Sequence, residues 1–78
     1  MSNLNKYVDA FAAALEVAPD QVPSLVYGES PSWDSVGHMT LVARLEDAFD
    51  IMMEMDDIID LSSFEKGKEI LRKYDVDI

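Results

Sequence analysis

In PSWDSVGHMTLV, residues 31–42, Ser35 follows Asp34 directly at the start of a predicted helix, and His38 lies three positions further on, one turn away. Asp34 alone is a good N-cap, so as a cap Ser35 is redundant. Three chemistries compete for it. A passive first-turn residue is the simplest. A nucleophile activated by His38 is poorly supplied, because a first-turn pair on so small a chain has no third group to orient the base, no water-excluding pocket and no oxyanion donors. A covalent modification site fits better, since the N–H groups and positive dipole end at a helix start stabilise an attached phosphate. His38, expected on the surface of the same turn, would then sense a negative charge on Ser35.

Composition removes several other classes. The 78 residues hold no cysteine, which excludes disulfides, thiolate metal sites and cysteine nucleophiles. A chain of this length forms one domain, residues 1–78, and buries only roughly 60% of the surface its unfolded form exposes, leaving little room for a deep catalytic cleft. With 49% hydrophobic residues it is too apolar to be disordered in spite of a net charge of −10. Sixteen acids against six bases disfavour nucleic acid and anionic membranes, so partners are expected to present basic surfaces. Glu46, Asp47, Asp50, Glu54, Asp56, Asp57 and Asp60 follow one another with no base between them, which makes one face or end strongly negative. Clustered aspartates suggest calcium, but no D-x-[DN]-x-[DN]-G loop with its distal Glu is present. No apolar run approaches the roughly 18 residues of a membrane span, and MSNLNKYVDA lacks the features of a secretory signal, so a cytoplasmic, monomeric protein is expected.

The elements that must position Ser35 are helical. Leu4, Tyr7, Val8, Phe11, Ala12 and Leu15 recur with the spacing of one buried helix stripe, predicting a helix over about 3–16 capped by Ser2 or Asn3. Residues 17–33 contain all three prolines and read as a long ordered loop, pinned to the core by Val22, Leu25, Val26 and Tyr27. A second helix spans about Ser35–Phe49, with Val36, Met39, Val42 or Ala43, Leu45 and Phe49 on related faces and Trp33 stapled over its first turn. A short helix is expected from Asp56. The last helix follows the capping-box spacing Ser62–Glu65 and runs to about Tyr74, with Phe64, Gly67 and Leu71 on its stripe. The expected fold is all-α: a small four-helix bundle of three longer helices and one short one, with a long loop between the first two.

In order and spacing, D-S-V, an amphipathic helix ending L-E-D-A-F-D, a short acidic helix and a final helix after S-S-F together resemble the acyl carrier protein family, whose usual attachment signature is D-S-L. The resemblance covers nearly the whole chain and rests on Asp34, Ser35, Leu41, Leu45, Glu46, Phe49 and Asp50. Its W-D-S-V-G-H run, with Val36, Gly37, His38 and Thr40 where fatty-acid carriers commonly have Leu and more acid, is more similar to free-standing carriers of specialised pathways.

The resemblance implies a protein that is not itself an enzyme. Ser35 would carry 4′-phosphopantetheine from coenzyme A, and the arm's thiol would hold an acyl or aminoacyl group as a thioester. Implied partners are a phosphopantetheinyl transferase, an acyl- or aminoacyl-loading enzyme, and downstream synthases or transferases. Their basic docking surfaces would meet Asp34, Val36, Met39, Glu46, Asp47 and Asp50. Met39, Met52, Met53 and Met55 are flexible enough to re-pack around a carried chain, and equally suit ordinary core filler or surface. The rival class is an acidic helical interaction module without a prosthetic group.

Overall fold

Ser2 opens the first helix, its hydroxyl accepting from the Asn5 N–H at 3.1 Å. The computed structural model describes residues 2–78. Helix α1 spans Asn3–Leu15, α2 spans Ser35–Phe49, α3 spans Met55–Asp60 and α4 spans Phe64–Lys73. A 3-10 helix over Pro19–Ser24 interrupts the segment between α1 and α2, so that connection is not a continuous loop. Pro19 suits the first position of such a turn, and the Gln21 side chain reaches back to accept from the Ala18 N–H at 3.3 Å. The protein is all-helical. Among the described residues the extended pairing is one isolated antiparallel bridge, Val26 with Ser63.

Helix α1 ends at a left-handed Glu16, φ 56°, before Pro19 is reached. Helix α2 ends the same way at Asp50, φ 53°. The cap of α4 is Ser63 rather than Ser62: its hydroxyl accepts from the Lys66 N–H at 3.1 Å, and with Lys66 instead of Glu65 at the third helical position the expected capping box does not form.

The core is a row of rings crossing three elements. Tyr7 stacks on Phe64 at 4.8 Å, Phe11 meets Tyr7 edge-on at 5.0 Å, and Trp33 meets Phe11 edge-on at 5.1 Å. Such pairs contribute beyond their buried area because ring edges and faces carry opposite partial charge. Around them pack Leu15, Val22, Leu25, Leu41, Leu45, Leu61, Ile70 and Leu71. Val22 and Leu25 pin the α1–α2 connection as expected, whereas Val26 and Tyr27 remain exposed. The radius of gyration, 11.1 Å, matches the roughly 11.5 Å of a close-packed chain of this length.

Gly67 lets α4 approach α1. A Cβ there would collide with the Tyr7 hydroxyl, which donates to the Phe64 carbonyl at 2.6 Å. Burial pushes the Tyr7 phenol far above its ordinary range, so it remains a donor at every accessible pH. Removing this bond with Tyr7→Phe should cost about 1 kcal/mol in urea unfolding. Gly67→Ala should cost about 1–3 kcal/mol by overpacking. The two losses should not add, because deleting the hydroxyl also makes room for the new methyl.

Candidate functional site

The start of α2 divides its work between neighbouring side chains. Asp34 has extended backbone, and its Oδ1 accepts from the Gly37 N–H at 2.8 Å, which is the N-cap. Ser35, the first helical residue, is exposed, and the cap does not use its hydroxyl. Gly37 brings the preceding loop against the helix: a Cβ there would lie 2.9 Å from the Ser32 carbonyl and 2.9 Å from Leu15. The loop itself is folded by Gly28 N–H to the Trp33 carbonyl at 3.2 Å and Trp33 N–H to the Ser30 carbonyl at 3.0 Å. Gly28, at φ 82°, holds the turn that makes the first of these possible.

His38 departs from expectation. It is not a surface group beside Ser35 but is only 9% exposed, turned into the junction of loop, α2 and α3. The Trp33 indole N–H donates to its Nδ1 at 3.0 Å, and its Nε2 lies 2.7 Å from the Ile58 carbonyl. Tyr27 packs edge-on at 4.9 Å. The buried face of α2 is therefore His38, Leu41, Val42 and Leu45. Val36 and Met39, one turn removed from that face, are 75% and 57% exposed. Sequence periodicity found the helix, but a polar ring at a core position displaced its phase.

The remaining acidic residues proposed for docking fall into different settings. Glu46 is half-buried, and its Oε2 accepts from the Met53 N–H at 2.9 Å, bracing the link between α2 and α3. Asp47 is exposed and lines a groove of about 340 Å³ between α1 and α2 with Lys6, Asp9 and Arg44. Asp50 is exposed at the left-handed end of α2. Of the methionines, Met53 is in the core, whereas Met52 and Met55 join Met39 on the surface. Exposed Ile59 extends the apolar surface of Met55 along α3.

A cavity of about 220 Å³ opens between Tyr27, His38, Ile58, Ile59 and Leu61, with mainly apolar walls. It lies beneath α3, which is held at both ends of its polar inventory: His38 takes the Ile58 carbonyl, and buried Asp57 reaches α4. The Lys73 ammonium donates to Asp57 Oδ1 at 2.5 Å and the Tyr74 hydroxyl to Oδ2 at 2.5 Å, while Tyr74 accepts from the Glu54 N–H at 2.8 Å. Sequence reading placed Asp57 in the solvated acid run. Its i+16 and i+17 partners on another helix left no local signal.

No family model, curated protein or solved structure matches this chain. Among the described residues no three His, Cys, Asp or Glu side chains converge as metal ligands, and no helix is long and apolar enough to cross a membrane.

The hydrogen bonds from Lys73 and then Tyr74 hold the Asp57 carboxyl below the usual carboxylate range. A carboxyl depressed in the folded state contributes stability above its unfolded pKa, about 4, and loses it as pH falls through the folded value. Asp57→Asn should therefore lower the melting temperature at pH 7, and the gap to wild type should close progressively below about pH 4.

Proposed function

We propose that this protein is a carrier of the acyl-carrier type, a bundle of three longer helices and one short helix that presents a thioester-bound group on a 4′-phosphopantetheine arm at Ser35. The observation that carries the reading is the division at the start of α2, where Asp34 supplies the cap and the Ser35 hydroxyl is left exposed. A helix of fifteen residues ends there with its first N–H groups and the positive end of its dipole facing the attachment point, which favours the negative charge of a phosphodiester. The residues fit the group: an open recess lined by Pro31, Ser32, Asp34 and Val36 flanks the helix start, so an arm meets no wall.

In the attachment step the Ser35 oxygen bonds to the pantetheine-side phosphorus of coenzyme A. The phosphoanhydride bond breaks, 3′,5′-ADP leaves, and the transferase takes the hydroxyl proton. Once attached, the group supplies the thiol on which acyl or aminoacyl cargo is held. The chain's own residues orient and present it. Asp34 fixes the helix start, and Gly37 keeps the loop close enough to hold it there.

Val36 and Met39 on α2 with Met55 and Ile59 on α3 offer exposed apolar contacts. Asp47, Asp50, Glu54, Asp56 and Asp60 lie exposed on the same two helices and their connection, a distribution suited to partners with basic rims. Such a surface favours fast, modest-affinity exchange between enzymes. The cavity beneath α3 exceeds the roughly 150 Å³ apolar cavity known to admit benzene, which makes it the place where a short apolar cargo would shelter.

Incubation with a broad-specificity phosphopantetheinyl transferase and coenzyme A should add one phosphopantetheine to the intact mass, and Ser35→Ala should fold normally and gain nothing. A wild type that stays unmodified would leave the acidic interaction module as the better reading. Asp47→Lys with Asp56→Lys should slow association with a carrier-dependent partner more than dissociation, with the difference fading as salt shortens screening toward roughly 8 Å and below. Glu46 is a poor probe of this effect because its carboxylate is already engaged with Met53.

A further inference from the structure

We propose that neutral His38 is a positioning residue for Ser35, and that protonating it releases the loop from the start of α2. The claim about positioning rests on the carrier reading of Ser35; the claim about the latch does not.

Hydrogen-bond chemistry specifies the protonation state. An indole N–H can only donate, so His38 Nδ1, 3.0 Å from Trp33 Nε1, must present its lone pair. The Ile58 carbonyl can only accept, so the hydrogen of the ring sits on Nε2, 2.7 Å away. Both nitrogens are occupied, and the pair of contacts is compatible only with the neutral Nε2–H tautomer. Each contact does a separate task. The Ile58 carbonyl lies in the last turn of a six-residue helix, where carbonyls lack intrahelical partners, and His38 satisfies it. Trp33 is two residues before Ser35, fully buried, and its backbone is tied to Gly28 and Ser30.

Adding a proton to Nδ1 places N–H against N–H. The bond to Ile58 survives, but a buried indole loses its acceptor and an imidazolium is left in a junction that offers it no countercharge. The surrounding groups bear this out element by element. From the loop, Tyr27 presents its ring and no charge. On α2, the Asp34 carboxylate is engaged with the Gly37 N–H, and His38 itself is bonded through its N–H to the Asp34 carbonyl at 2.8 Å. On α3, Asp57 is turned to Lys73 and Tyr74, while Asp56 and Asp60 are exposed. The cavity wall formed by Tyr27, His38, Ile58, Ile59 and Leu61 contains no carboxylate and no ammonium. Relief therefore comes from separating Trp33 from the ring, and the chain that must move leads directly into Asp34 and Ser35.

The direction follows from the bond that is lost. Trp33 can donate to His38 only while Nδ1 keeps its lone pair, so the latch is closed with the neutral ring and opens when that nitrogen is protonated. The chain contains one Trp and one His, so Trp33 emission can be followed without a second indole, and its wavelength, which moves red when the ring meets water, separates release from simple quenching by a neighbouring imidazolium. Fluorescence followed as the pH is lowered from about 8, with far-UV circular dichroism marking where the fold itself is lost, should change reversibly in the wild type before unfolding. It should stay flat in His38→Gln, whose side-chain oxygen can accept from Trp33 and whose amide can donate to Ile58 at every pH. Phosphopantetheinylation of Ser35, expressed as the wild-type rate divided by the His38→Gln rate, should fall about threefold to tenfold across the Trp33 transition, the equilibrium worth of one hydrogen bond. The transferase's own pH dependence cancels in that ratio. Imidazole ¹⁵N shifts of the wild type should show Nδ1 bare and Nε2 protonated at pH 7.5, a readout that stands even if His38→Gln fails to fold. An Nδ1–H tautomer, or Trp33 emission that titrates identically in both proteins, would overturn the latch. A constant rate ratio beside a titrating Trp33 would overturn the positioning role. Absence of modification at every pH would instead count against the carrier reading, with the fluorescence still deciding the latch.

Discussion

Burying an indole obliges a protein to bury an acceptor with it, because an unsatisfied N–H in an apolar interior loses its water bonds without replacement. Here Trp33 lies fully inside, at the end of a row of rings that begins with Phe64 and passes through Tyr7 and Phe11. The acceptor is the ring of His38, which then needs a partner for its own second nitrogen and takes it from α3. One apolar demand thus generates a polar connection across the loop, α2 and α3. Without the indole there is no reason to place an imidazole on the core face of α2. Without the imidazole α3 loses its bond to α2, and the cavity beneath it loses one wall.

The same logic explains which parts of the molecule could be read from sequence. Helix α2 was legible because its signals are local, Asp34 before it and an amphipathic run within it; its stop at the left-handed Asp50 carried no sequence signal. Helix α1 was legible for the same reason, and the core roles of Tyr7, Phe11 and Leu15 follow directly from period. The 3-10 turn over Pro19–Ser24 was hidden because three prolines in seventeen residues read as a loop, although Pro19 at the first position is equally a helix-start signal. His38 and Asp57 were hidden for a different reason. Hydrophobic periodicity assigns polar residues to the surface, and each of these is buried by partners distant in sequence: Ile58 for His38, Lys73 and Tyr74 for Asp57.

Net charge overstates how many carboxylates are available to a partner. Of the six residues that sequence singled out for docking, Asp34 is a helix cap and Glu46 braces the α2–α3 link. Asp57, in the middle of the acid run, is an internal ion pair. What remains exposed of the acid run is a smaller set, Asp47 and Asp50 with Glu54, Asp56 and Asp60, on the same two helices and their connection as exposed Val36, Met39, Met55 and Ile59. Carboxylates and apolar side chains exposed on the same two helices make this surface mixed rather than uniformly acidic.

The short α3 shows why a core this thin relies on polar bonds at its helix ends. Six residues cannot sustain a helix in isolation, since nucleation consumes most of what so few hydrogen bonds return. Its outward face contributes nothing to the core, with Met55 and Ile59 in solvent. The helix is held by Asp57 to α4 on one side and by the Ile58 carbonyl to His38 on the other, an ion pair and a neutral hydrogen bond. The Asp57 carboxyl is kept below the usual carboxylate range by Lys73 and then Tyr74, so its tie to α4 persists into acid. The Ile58 bond needs only the hydrogen on Nε2, which both the neutral tautomer and the imidazolium carry, whereas the Trp33 bond needs the bare Nδ1, so the loop side is the one contact that depends on the protonation state of the ring. A molecule without the core volume for a hinged domain can still give one junction independent freedom, provided that the polar ties around it use different atoms for their bonds.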